Sequence, residues 1–433
     1  MAHQTPPYSR GYSLYVLGLL LVVQAFNVVD RSIISLVAQD IRAEMDLSDR
    51  QMGLLMGFAF TVVHLGAGLP IARLADRGVR RTIIAIGLFS WSAMTVATGM
   101  ARTFPQLLLA RMGVGVGEAA GGPPAHSLIA DYSPRALASG LSILPMGSVA
   151  GLGLGFVVGG WIQEEYGWRA ALFAVGAPGL ILAFVLRLTV EEPRRRLPPH
   201  RESMGAATRA LLSLPSYRLT LIAMCLAGLS VFGRSSWEVT FLRRTYEMAP
   251  WDAATTYFLI SPLPSFFGAY LCARATDRLA ARDPRWFAWA CAVGNAAFVP
   301  ASMAFYLWPT GDRIGTFPIA FVWSILASIL GSAAAPATSA IAQRLAPPHR
   351  RAFSAALWSM FFNFFGLGLG AYLVGDWSTR LEASYGPDAL RYSLAWISIT
   401  PLAAALVNLL AARSLRDDMR RADLAGTQTP ATT

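Results

Sequence analysis

Apolar residues run along this chain in blocks of about twenty or more, separated by short polar breaks. Blocks of that length fit the hydrocarbon core of a bilayer as helices. They predict membrane spans near 12–36, 50–72, 80–100, 104–130, 137–162, 168–189, 216–241, 254–275, 286–308, 315–343, 352–375 and 390–413. One break is long, 190–215, and holds Glu191-Glu192-Pro193-Arg194-Arg195-Arg196-Leu197-Pro198-Pro199. Its prolines and charges predict a cytoplasmic linker between two six-helix bundles, 1–189 and 216–415. The polar tail 416–433 is expected to be disordered and cytoplasmic. The expected fold class is therefore an all-α membrane protein of twelve transmembrane helices.

Charges interrupt the blocks at few places. Asp30-Arg31 lies in the first span, and Arg111 and Glu118 lie in the fourth. Each costs about 2.5–3.5 kcal/mol on insertion scales, so it must face protein or a wet cavity. Arg111 and Glu118 are two helical turns apart and share a face, with Gly113, Gly115 and Gly117 between them leaving room for a neighbouring helix. Adjacent helical residues point about 100° apart. Asp30 and Arg31 therefore take different partners: Asp30 with Arg111 and Arg31 with Glu118, or the reverse. Arg234 and Glu238 in span seven form an i,i+4 pair beside Trp237. The rest of the second half is aromatic, with Tyr257, Phe361 and Phe365 as examples, and Asn363 begins a glycine-rich run. Pro262, Pro264 and Pro336 are expected to bend their helices.

Composition agrees: 55% of the 433 residues are hydrophobic and 14% charged, against about 25% charged in a soluble domain. The formal net charge of +11 reads as membrane topology, not as nucleic-acid binding. With both termini cytoplasmic, the inner loops and ends hold about 24 arginines and the outer loops about 9. The first apolar block is full length, so an uncleaved span is expected there. There is no lysine, which excludes a Walker A phosphate loop and Schiff-base chemistry. Cys225, Cys272 and Cys291 all fall in spans, which implies no disulfide framework. His64 and His126 have no metal partner at useful spacing and are read as packing or hydrogen-bonding residues, so no metal site and no cofactor are expected. No nucleophile with a nearby base stands out, so a lipid-modifying enzyme is not expected.

The halves repeat each other. Ala72-Arg73-Leu74-Ala75-Asp76-Arg77 follows span two, and Ala273-Arg274-Ala275-Thr276-Asp277-Arg278 follows span eight; Pro124-Ala125 in span four matches Pro336-Ala337 in span ten. The stretch Ala72-Arg73-Leu74-Ala75-Asp76-Arg77-Gly78-Val79-Arg80-Arg81 resembles the loop signature of the major facilitator superfamily, and Arg111, Gly115 and Gly117 match that superfamily's Arg-x-x-x-Gly-x-Gly. Gly147, Gly151, Gly155, Gly159 and Gly160 resemble its span-five glycine motif, for which close helix packing is sufficient reason. More narrowly, Asn27-Val28-Val29-Asp30-Arg31-Ser32-Ile33, Gly115-Val116-Gly117-Glu118-Ala119 and Asn363-Phe364-Phe365-Gly366-Leu367-Gly368-Leu369-Gly370 resemble Spinster-type transporters.

That resemblance implies proton-coupled secondary transport of an amphiphilic anionic lipid, of lysophospholipid or sphingosine-phosphate type, by alternating access. Glu118, Asp30 and Arg31 are then the proton-coupling residues. Arg31, Arg111, Glu118, Arg234, Trp237, Tyr257, Phe361 and Asn363 are the expected substrate-binding residues. Asp76, Arg77, Arg80, Asp277 and Arg278 are expected to form a conformational latch on the cytoplasmic side. The Asn-x-x-Asp-Arg opening also occurs in organic-anion symporters, so a sugar acid or other small organic anion stays open as substrate, as does drug-type efflux. The expected setting is the inner (plasma) membrane. The proton is the coupling ion, and the chain is expected to act as a monomer with membrane lipid around it.

Overall fold

The computed structural model describes residues 8–132, 143–193, 204–347 and 350–427. Within them nine helical runs are long and apolar enough to cross a membrane. Two of these runs each hold two crossings: Met146–Thr189, divided at Gly167 (φ 83°), and Phe353–Ala422, divided at the 3₁₀ turn Gly386–Asp388. The fourth span, Phe104–Glu118 followed by Gly122–Tyr132, completes twelve among the described residues. A two-stranded hairpin, Arg313–Ile314 with Phe317–Pro318, joins spans nine (Trp286–Leu307) and ten.

The chain divides into two compact units, Met1–Leu197 with Glu247–Thr255, and Pro198–Tyr246 with Thr256–Thr433. The transfer of Glu247–Thr255 to the first unit differs from a boundary in the linker. It follows from the Trp251 N–H donating to the Glu164 carboxylate (2.9 Å) and from Gly160 abutting Ala254.

In the first unit, span one (Arg10–Met45) packs along span five through the glycine ridge. A Cβ at Gly147 would lie 2.6 Å from the Leu21 carbonyl oxygen, and Gly151, Gly155 and Gly159 abut Ala25, Val29 and Ile33 in turn. Each step is one helical turn, so the two backbones run in contact. The second unit repeats the device: Gly366 and Gly370 of span eleven lie against Gly228, Leu229 and Gly233 of span seven (Pro215–Thr245).

Matching helices also break in matching places. Span four stops at Glu118 and resumes at Gly122, and span ten stops at Gly331 (Ile319–Gly331) and resumes at Ala334 (Ala334–Leu345). Span two starts on a Ser48/Gln51 capping box, widens into a π turn at Leu54–Phe58 and continues as Ala59–Arg77. Span eight breaks at Ser261, directly before Pro262, whose ring cannot continue the preceding turn. Such interruptions leave backbone groups unpaired at membrane depth and occur where protein or a wet cavity can satisfy them.

One sequence expectation needs correction. The tail is helical from Thr400 to Thr427, because Asp418 Oδ2 accepts from both the N–H and the hydroxyl of Ser216, and Leu415 and Met419 are buried. Residues 428–433 lie outside the described residues. The linker holds a helix, Met204–Leu212, that buries Ala207 and Leu211, the latter in the second unit's core.

Candidate functional site

The charged residues of spans one and four meet in the first unit. Arg31 donates to Glu118 Oε2 from Nη2 (2.6 Å) and Nε (3.2 Å). The Glu118 side chain is fully buried, whereas that of Arg31 is 30% exposed. Both donors converge on one oxygen, and Glu118 Oε1 makes no hydrogen bond. Glu118 is the last residue before the break in span four, where carbonyl dipoles disfavour a negative charge. Arg31 offsets that penalty.

Asp30 is also buried. Its hydrogen bond comes from the Thr95 hydroxyl of span three (Arg80–Met100), and its other oxygen, Oδ2, makes none. Arg111 is buried, with Nε and Nη2 making no hydrogen bond. The expected pairing of Arg31 with Glu118 is therefore present. That of Asp30 with Arg111 is not a hydrogen-bonded pair: Thr95 donates to Asp30 Oδ1, and Asp30 Oδ2 and Arg111 Nε and Nη2 make no hydrogen bond.

Phe60 organises both cations. Its ring centroid lies 5.2 Å from the Arg31 guanidinium carbon and 5.7 Å from that of Arg111. The π turn at Leu54–Phe58 immediately precedes it. One extra residue in that turn rotates the following side chains relative to a continuous α-helix. His64, one turn further on, stacks on Phe60 (5.4 Å between centroids) and sets Nδ1 3.2 Å from the Gly115 carbonyl oxygen. Thr95 and Phe60 carried no signal in the sequence. A threonine and a phenylalanine in apolar spans are commonplace, and only their position beside Asp30 and the arginines sets them apart.

In the second unit Arg234 donates to Glu238 (2.5 Å) and to the Tyr306 hydroxyl (2.8 Å), which in turn donates to Glu238 (2.8 Å). All three are buried, and Phe298 covers the guanidinium at 4.9 Å. Trp237 is fully buried and donates to the Ala371 carbonyl. Tyr257 is 4% exposed. Of the expected substrate residues in this half, Phe361 and Asn363 keep more open surface. Phe361 stacks parallel to Phe365, and Asn363 donates to the Ser359 carbonyl at the start of the π stretch Asn363–Gly370.

Of the five expected latch residues, the side chains of Arg80, Asp277 and Arg278 are described. The side chains of Asp76 and Arg77 lie outside the described residues. Asp277 and Arg278 are exposed, with no side-chain hydrogen bond or ion pair among the described residues. Arg80 is buried within the first unit, held by Glu192, Asp131, Ser127 and the Pro193 carbonyl. Arg81 binds the Val190 carbonyl, and Tyr132 and Tyr12 bind the backbone of Glu191. Arg80 thus ties the end of span six to spans three and four of its own unit. Among the described residues no three His, Cys, Asp or Glu side chains gather to hold a metal ion.

Residues 20–371 match the Major Facilitator Superfamily. The chain belongs to that superfamily. Among relatives of the transporter, an MFS-type efflux pump of Mycolicibacterium smegmatis is 30% identical, the match covering 93% of each chain. The mouse protein spinster homolog 1 is 26% identical over 96% of this chain and 84% of its own length. A crystal structure of a bacterial homolog of the human lysosomal transporter Spinster, inward-facing and occupied, superposes with a TM-score of 0.82 at 28% identity, covering 95% of this chain and 99% of the other. The transporter is Spinster-like in both sequence and fold.

Proposed function

We propose that the chain is a proton-coupled carrier of an amphiphile with an anionic head group, of lysophospholipid or sphingosine-phosphate type, working by alternating access. The observation that carries this reading is the Arg31–Glu118 pair: a sealed carboxylate held by a cation that is itself partly open. Glu118 Oε1 has no donor, so it is the oxygen on which a proton would sit. Protonation cancels the charge that holds Arg31. Arg31 then turns to the head group or to Asp30, and the site has two states that proton and substrate both bias. Arginine stays charged throughout, which suits it to the anion. The lipid class rests on the Spinster resemblance, and the arginine asymmetry supports a plasma-membrane setting with both termini inside.

Flux in proteoliposomes tests the reading. Labelled lysophospholipid should be concentrated by an imposed pH gradient. Glu118→Gln should keep exchange but lose acceleration by the gradient. Arg31→Ala should lose both. Accumulation of labelled lysolipid by Glu118→Gln with the pH gradient as sole energy source would refute the coupling assignment. Uptake of a labelled sugar acid or export of a cationic dye, in place of lysolipid, would overturn the substrate class.

A further inference from the structure

Span four ends its first helix at Glu118, and the carbonyls of its last turn are met by tightened or lengthened bonds: Gly117 from the Ala120 N–H (3.1 Å) and Glu118 from the Gly121 N–H (3.0 Å). The Gly115 carbonyl accepts from the Ala119 N–H at a long 3.4 Å. The second donor within reach is His64 Nδ1 at 3.2 Å. A carbonyl oxygen only accepts, so the proton of the neutral ring sits on Nδ1 and Nε2 is bare. The approach is possible because residue 115 is glycine: a Cβ there would lie 2.6 Å from the Phe60 carbonyl oxygen. The ring is further held by its stack on Phe60, which faces both Arg31 and Arg111. One imidazole therefore joins the end of the broken helix that carries Glu118 to the aromatic ring beneath the two arginines.

We infer that His64 is a positioning residue for the Glu118–Arg31 pair, fixing the helix end that presents Glu118 and so setting the pH at which the pair opens. The inference rests on the proton-coupled reading above. Among the described residues, the charged and titratable groups near Glu118 are Arg31 and Asp30 from span one, Arg111 from its own span and His64 from span two. Span three presents Trp91 and Thr95, neither of which titrates in the working range. Without the imidazole N–H, the Gly115 carbonyl keeps only its long bond from the Ala119 N–H, and the helix end that presents Glu118 is less firmly held. The ionised form of Glu118 then loses support, and the pair opens at lower proton concentration.

The test compares wild type, His64→Leu and His64→Asn by the pH giving half-maximal exchange of labelled lysophospholipid in proteoliposomes without a gradient. Leucine keeps bulk and removes the donor, whereas asparagine keeps an N–H near the Nδ1 position. His64→Leu should move the midpoint to higher pH by about one unit, and His64→Asn should restore most of the wild-type value. A His64→Leu midpoint equal to or below that of wild type overturns the inference, as does a His64→Asn midpoint matching that of His64→Leu. If the leucine variant does not fold, the asparagine variant is read against His64→Ala on the same criterion. A wild type with no pH-dependent exchange would instead sink the proton-coupled reading, so the two failures are distinct.

Discussion

Replacing Tyr306 by phenylalanine separates two roles for the second unit's charged cluster. Arg234 was expected to hold substrate, yet Tyr306 closes a ring of hydrogen bonds around it: Arg234 Nε to the hydroxyl, the hydroxyl to Glu238, and Arg234 Nη2 to Glu238. Phenylalanine keeps the edge-to-face contact with Phe241 and removes only the oxygen. Neutral interhelical bonds in membranes average about 0.6 kcal/mol, but bonds to charged groups are worth about 1.5–3 kcal/mol. The Arg234–Glu238 bond survives, so the net loss should be about 2 kcal/mol. That lowers the melting temperature by about 4–8 °C in a unit of this size. Glu238→Gln should cost more, about 3–5 kcal/mol, because Arg234 is left buried without its counter-charge. The assay is thermal unfolding in detergent followed by size exclusion, alongside lysolipid flux. A sealed strut predicts this stability order with flux retained below the melting point. Unchanged melting of Tyr306→Phe with lost flux would refute the strut and restore Arg234 as a substrate ligand.

Gly370→Ala should destabilise strongly, since its Cβ would lie 2.5 Å from the Leu229 carbonyl oxygen, whereas Gly122→Ala, with nothing within 4 Å, should melt like wild type. Arg80→Ala should release the end of span six, lower the melting temperature and raise the rate of proteolysis near Glu192 and Pro193. Hydrogen bonds from Arg285 hold the Asp283 carboxyl below the usual carboxylate range. A depressed value contributes above the ordinary carboxylate range and is lost as pH falls through it. This loop pair is screened by water, so Asp283→Asn should leave melting unchanged between pH 5 and 8, checked by the same assay.

Much of the fold was legible because lipid enforces simple rules. Block length set the spans, and the repeated Ala-Arg-x-x-Asp-Arg loops and proline pairs exposed the duplication. The four-residue glycine spacing of span five named its partner's mode of packing before the partner was known. The Arg31–Glu118 pair was legible for the same reason: few charges lie in spans, and helical rise limits which can meet. Thr95 was hidden, because a buried carboxylate takes any nearby hydroxyl and apolar spans contain many. The π turn was hidden too. It is a local register change without a proline or a charge to mark it, yet it precedes the ring that faces both arginines. The linker helix and the helical tail were missed because their stability comes from burial on the second unit, not from their own apolar length.

The two units share helix breaks and glycine ridges but not chemistry, and the difference lies at one position in the broken fourth helix of each. In the first unit that helix ends on Glu118, and in the second it ends on Gly331. A carboxylate at such an end is disfavoured by the carbonyl dipoles and must be held by a cation. A glycine needs no such partner. The first unit accordingly places Arg31 there, partly open, on an acid whose second oxygen is unbonded. The second unit places its ion pair elsewhere, within span seven, with Tyr306 of span nine bonded to both partners and Phe298 over the guanidinium. An incompletely bonded pair can exchange partners at small cost, and a fully bonded buried one cannot. The same duplicated scaffold thus carries one pair suited to switching and one suited to holding shape. Moving the acid by combining Glu118→Gly with Gly331→Glu should fail to restore pH-driven lysolipid flux in proteoliposomes, because Arg234, the cation that span seven supplies, is already bonded to Glu238 and Tyr306.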